Sequence, residues 1–92
     1  MNITEVRIKI VNKEGSRVKA LASLTIDECF VIHDIKVIEK EDKFVINMPN
    51  KKNASGKYFD IAHPINVETR EQVNNAVLNA YKKAKENETV AE

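Results

Sequence analysis

Phe44 to Asn66 read FVINMPNKKNASGKYFDIAHPIN; the residues before this stretch have the pattern of a sheet and those after it have the pattern of one helix. Phe44, Ile46 and Met48 alternate with Val45 and Asn47, which predicts a short strand with a dense apolar face. Pro49 ends it, because proline cannot donate to a sheet ladder and drives the preceding residue toward extended geometry. The next segment, Asn50 to Lys57, is expected to be a loop. It holds Lys51, Lys52 and Lys57, no acid, and Gly56, one of only two glycines in the chain. Such a loop can bring backbone N–H groups and ammonium heads to phosphate oxygens. An ordinary solvated turn has the same composition.

A chain of 92 residues makes one small domain, short for a deep core, so a second copy covering a further face would add stability; a homodimer is expected. Apolar residues at 42% and charged residues at 32% place it in the soluble globular class. No apolar run reaches the length of a bilayer, and the start, MNITEVRIKI, lacks the layout of a signal peptide. A cytoplasmic protein without membrane insertion is therefore expected. Cys29 is the only cysteine, so no internal disulfide or thiolate metal cluster is available. A net charge of +1 does not predict polyanion binding by itself. It permits a basic face if the acids are segregated, and acids gather at Glu39, Glu41 and Asp42 and again near the C-terminus.

Upstream, Val6, Ile8 and Ile10 alternate with Glu5, Arg7 and Lys9, the pattern of a half-buried strand. NKEGS at 12–16 turns the chain, and Val18, Ala20, Ala22, Leu24 and Ile26 repeat the alternation, giving an antiparallel hairpin. A register symmetric about Glu14 would set Lys9 opposite Lys19 and Arg7 opposite Leu21. Arg7, Lys9, Arg17 and Lys19 would then form an outward basic strip, either a second anion surface or a solvated face protected from edge pairing. Asp27 and Glu28 make a tight turn into CFVIHDIKVI at 29–38, a strand apolar enough to be central. Its phase slips between His33 and Asp34, which predicts a bulge there. EKEDK at 39–43 is a charged connection to the Phe44 strand.

Four strands in sequence order make a meander, and Tyr58 to Ala62 is a candidate fifth, with Phe59 and Ile61 on one side. The helix begins near Pro64, with Asn66 or Glu68 as cap or Thr69 and Gln72 at capping-box spacing. Val73, Ala76, Val77, Ala80, Tyr81 and Ala84 make one apolar stripe for the sheet or a partner, with Leu78 off it. The fold class is α+β: an antiparallel meander of four to five strands and one C-terminal helix, a single domain over 1–86 with a frayed tail at 87–92.

His33 with Asp34, and Asp60 with His63, are the residues from which a metal site or acid–base pair could be built. Neighbouring strand residues point to opposite faces, so no metal, cofactor or catalytic role is assigned and the chain is not expected to be an enzyme. Phosphate-loop and nucleophile-elbow motifs are absent. For nucleic acid the candidates are Lys51, Lys52 and Lys57, with Arg70 in the first helical turn. Lys82, Lys83 and Lys85 suit the negative end of the helix dipole equally well. Tyr58 and Phe59 stand beside the basic segment and could stack on a base.

FVIHDIKVI, MPNKKNASGKYFDIAHPIN and TREQVNNAVLNAY together resemble the successive motifs of the stage V sporulation protein G family of bacteria, over nearly the whole chain. The resemblance implies a small homodimer of sheet and helix, linked to septum formation and sporulation and binding DNA and, in some members, RNA. The family loop usually carries a lysine–arginine pair, and Lys51 and Lys52 occupy those positions here. Lysine at 52 lacks the planar fork of arginine and would position a phosphate rather than read a guanine edge. Phe59 stands where the family often has arginine, and Lys57 replaces a common acid. The expected function is a dimeric DNA- or RNA-binding regulator of septation. The alternative is an interaction module for septum or division proteins that does not touch nucleic acid.

Overall fold

The computed structural model describes residues 2–11 and 14–91, with side chains described as far as Glu86. Strands β1 (Ile3–Ile10), β2 (Val18–Ile26), β3 (Phe30–Lys40) and β4 (Lys43–Asn47) form one antiparallel sheet in the order β1-β2-β3-β4. Then β5 (Asn50–Lys52) and β6 (Tyr58–Asp60) pair with each other in a separate sheet, and α1 (Val67–Ala91) closes the chain. The α+β class and the four-strand meander match the sequence reading. The segment expected to be a loop is instead half of a second hairpin, and Tyr58 to Asp60 pairs with it rather than extending the meander.

The two turns beside β3 share one device. Asp27 and Glu28 have φ of 51° and 57°, and Glu41 and Asp42 have φ of 50° and 66°. Left-handed conformation at both central residues is the type I′ turn, whose twist matches that of the strands it joins. The charged connection expected over 39–43 is thus a two-residue turn, with β3 running to Lys40 and β4 starting at Lys43. At the first turn, the Glu28 amide donates to Thr4 Oγ1 at 3.0 Å and the Asp27 amide to the Asn2 carbonyl at 2.8 Å, tying the turn to the start of β1.

Registers correct the sequence reading of the first hairpin. Lys9 lies opposite Leu21 and Arg7 opposite Ser23, so Lys9 and Lys19 are not cross-strand neighbours. A turn centred one residue later, at Gly15 with φ of 83°, shifts the pairs from Glu5 to Ile10 by two. A second irregularity between Val18 and Ala20 sets Val18 opposite Ile38, which breaks the continuous inward run expected along β2 and with it the even basic strip through Arg17 and Lys19. The bulge in β3 stands where it was expected: Ala22 pairs with Ile35 and Leu24 with Ile32, and Asp34 has φ of 63°. The extra residue lets Ile32, Ile35 and Val37 all reach the inner face.

The helix lies on that inner face. Asn66 caps it, its Oδ1 accepting from the Thr69 amide at 2.7 Å, so of the expected capping options this is the one used. Val73, Val77 and Tyr81 are buried with Ala20, Ala22, Leu24, Ile35 and Val37, and the Tyr81 ring meets Phe44 at 5.2 Å between centroids, tilted by 56°. Half of the expected stripe, Val73, Val77 and Tyr81, is thus buried against the chain's own sheet, while Ala76, Ala80 and Ala84 stay half-buried. Leu78, read as lying off the stripe, is half-buried against the same core. The helical backbone continues to Ala91; the side chains of the tail expected at 87–92 lie outside the described residues. No helix among the described residues is long and apolar enough to cross a membrane.

Candidate nucleic-acid interface

The β5–β6 hairpin gathers three of the four cations singled out from the sequence. Lys51 pairs with Phe59 and Lys52 with Tyr58, while Lys57 enters β6 from the turn. All three lysines are exposed. The ion pair found among the described residues joins Arg7 and Glu5; Lys51, Lys52, Lys57 and Arg70 have no acidic partner there. Exposed, unpaired ammonium groups keep their full charge for a polyanion, since no intramolecular contact must first be broken.

Asn53 organises the turn. Its Oδ1 accepts from the amides of Ser55 at 2.9 Å and Lys57 at 3.0 Å, and its backbone N–H donates to the Lys57 carbonyl at 2.8 Å. Asparagine suits this position because its short amide replaces backbone acceptors in a tight turn. Gly56 comes three residues on with φ of 83°, a conformation that any side chain would strain. At the base, the Ile61 amide donates to the Pro49 carbonyl at 2.7 Å, so Pro49 serves as an acceptor just outside β5.

Aromatic groups flank the cations. Tyr58 is 70% exposed, and Lys52 Nζ stands 5.9 Å from the centre of its ring. The ring and the ammonium form one composite surface, able to stack on a base and meet its phosphate together. Phe59 is also exposed rather than part of the core. That neither aromatic enters the core could not be read from the sequence, where one of two adjacent aromatics is normally inward.

Arg70 stands apart from the hairpin. It lines a shallow hollow with His63, Pro64, Ile65, Asn66 and Val67 at the start of α1. The four candidates thus divide into a hairpin group and an isolated cation. Of the residues weighed for chemistry, His33 is hydrogen-bonded through Nδ1 to Ser23 Oγ at 2.9 Å, and His63 Nδ1 lies 3.0 Å from the Pro64 carbonyl. No group of three metal-ligating side chains forms among the described residues.

Two features escaped the sequence reading. One is an apolar pocket of about 230 Å³ between the sheet and the start of the helix, lined among others by Leu24, Ile32, Met48, Ile65 and Val73. Ile65 at its rim is 89% exposed, with Ile61 and Val67 also exposed nearby in sequence. The other is the sheet face turned away from α1, where Lys36 and Asn47 lie in one hollow with Tyr58.

Comparison with known proteins assigns the chain by its sequence. The SpoVG family model matches residues 1–83. A Lachnospira eligens protein named "Putative septation protein SpoVG" is 54% identical over 84 residues, covering 91% of this chain and 94% of the relative. Proteins of the same name from Clostridium perfringens and Clostridium kluyveri are 52% and 49% identical, covering 92% and 100% of this chain and 93% and 95% of their own lengths. With a family match across the sheet, the hairpin and most of the helix, and relatives of about its own length at half identity, this chain is a member of the SpoVG family.

Proposed function

We propose that this protein is a regulator of division septum formation and sporulation that acts as a homodimer and binds DNA or RNA through the β5–β6 hairpin. The septation role is supported by the names of its relatives. The binding role is supported above all by three exposed lysines without acidic partners on one hairpin, beside an exposed tyrosine. Backbone contacts dominate in this reading, because lysine presents a point charge to phosphate rather than a fork to a base edge. A two-fold dimer would offer two such hairpins and raise affinity by linkage alone. The test is a fluorescence-anisotropy titration across a salt series with the Lys51→Ala, Lys52→Ala double variant alongside wild type. A steep salt dependence that flattens in the variant supports the reading; a flat response in wild type removes it.

A second reading has its own observation. The apolar pocket with exposed Ile65 at its rim is the kind of surface a division protein could engage without nucleic acid. An Ile65→Asp variant that stays folded and binds nucleic acid normally, yet loses function in cells, would favour it.

A further inference from the structure

The four-stranded sheet has helix on one face only. Ile35 and Val37 are buried toward α1, so Lys36 between them points outward. Ile46 likewise packs inward and Asn47 outward, and Lys36 and Asn47 are direct cross-strand partners. These two residues line a hollow with Val18, Ile38, Asn50 and Tyr58. The open sheet face therefore runs without a break onto the hairpin, and Tyr58 belongs to both.

The opposite end of that face is basic and polar. Arg7 and Lys9 on β1 share a second hollow with Leu21 and Ser23 on β2 and His33 on β3. The Ser23–His33 hydrogen bond of 2.9 Å holds the imidazole in place on this face. Three acids accompany the cations: Glu5, paired with Arg7, Asp34 at the bulge, and Asp60, which shares the Tyr58 side of β6 opposite Asn50. Arg7, Lys9, Lys36 and Lys52 still outnumber them.

We infer that this uncovered face, from Arg7 and Lys9 through Lys36 to Tyr58, is a platform for single-stranded nucleic acid. The inference rests on the nucleic-acid reading under Proposed function and names the form of ligand. A tyrosine ring can stack only on a base whose face is free, and in a duplex both base faces are already occupied by neighbours. Cations spaced across the strands of a sheet follow a single sugar–phosphate chain laid over it, and the serine, asparagine and histidine groups offer hydrogen bonds to base edges or sugars. Apolar side chains on the same face, Ile38 and Val18, give bases a surface to lie on between the charges.

The experiment compares oligo-dT and oligo-rU of about 12 nucleotides, within the ~4–16-nucleotide range of sheet-based binders, with a duplex of equal length. The full chain is used throughout. Expected are tighter binding of single strands than of duplex, a loss of about 5- to 150-fold in single-strand affinity for Tyr58→Ala, recovery with Tyr58→Phe, and a clear loss for Lys36→Glu. Circular dichroism checks that each variant is folded. Three outcomes overturn the inference: duplex bound as tightly as single strand; Tyr58→Ala and Lys36→Glu both without effect; or Lys36→Glu changing the oligomeric state in light scattering while single-strand binding persists, which makes the face a protein interface. If the Lys51→Ala, Lys52→Ala variant still weakens binding in those cases, the hairpin reading survives alone. Absence of binding to all three probes at low salt removes both.

Discussion

Lys52 and Tyr58 occupy directly paired positions on β5 and β6, and the lysine ammonium stands 5.9 Å from the centre of the tyrosine ring. Lys52 and this aromatic are close in the chain, yet only the hairpin pairing places them on one surface, while Lys51 and Phe59 alternate to the other. The contact is exposed and contributes about 0.5–1 kcal/mol, so it orients the two groups more than it stabilises the fold.

Removing both hairpin lysines should therefore alter binding and not folding. Lys51→Ala with Lys52→Ala is expected to leave the melting temperature nearly unchanged and to lower the slope of log affinity against log salt by about 1.4–1.8, from ~0.7 per contact on single strands to ~0.9 on duplex. Arg70→Ala, in a hollow that no hairpin residue lines, should change the slope less than the double variant, by about one contact at most. Anisotropy titrations at several salt concentrations measure both.

Asn53 sets the shape of the basic turn through two accepted amide bonds. Asn53→Ala should raise amide exchange at Ser55 and Lys57 by about fivefold or more, from ~1 kcal/mol per lost bond, without lowering protection in β2 and β3. Gly56→Ala should act in the same direction, costing about 1 kcal/mol because its φ is 83°. Hydrogen exchange followed by NMR resolves these local effects from global unfolding.

The bulge residue Asp34 adopts φ of 63°, which aspartate tolerates and β-branched residues do not. Asp34→Val is expected to lose about 1–2 kcal/mol, whereas Asp34→Gly should stay within about 1 kcal/mol of wild type. Urea midpoints of the two variants should separate in that order. Equal midpoints would mean that the bulge moves or dissolves, so that Ile35 no longer faces the core.

Val77 is fully buried between helix and sheet. Val77→Asp should remove about 3–5 kcal/mol or more by leaving a carboxylate without a partner in the core, a large part of the stability of a domain this size. Circular dichroism should show a largely unfolded chain. A loss of function in that variant would then report folding, while Ile65→Asp, on an exposed side chain, tests the partner surface without that cost.

Much of the architecture was written in the local sequence. Alternation of Val6, Ile8 and Ile10, the phase slip at His33 and Asp34, the stop at Pro49 and the stripe of Val73, Val77 and Tyr81 each follow from a side-chain period of two or near 3.6 meeting one apolar layer. The concentration of Lys51, Lys52 and Lys57 was equally visible, because charge segregation along a short segment survives in almost any fold of it. Other features depended on contacts between distant segments. Register in the first hairpin turned on whether Glu14 or Gly15 centred the turn, a choice made by backbone conformation and by which faces the core accepts. The sequence could not show that β6 pairs with β5 instead of the meander, that Tyr58 joins the open sheet face while Arg70 stands apart, or that α1 covers one face alone. Those outcomes were decided by tertiary packing, since one helix can bury only one side of a sheet and leaves the other to water or to a ligand.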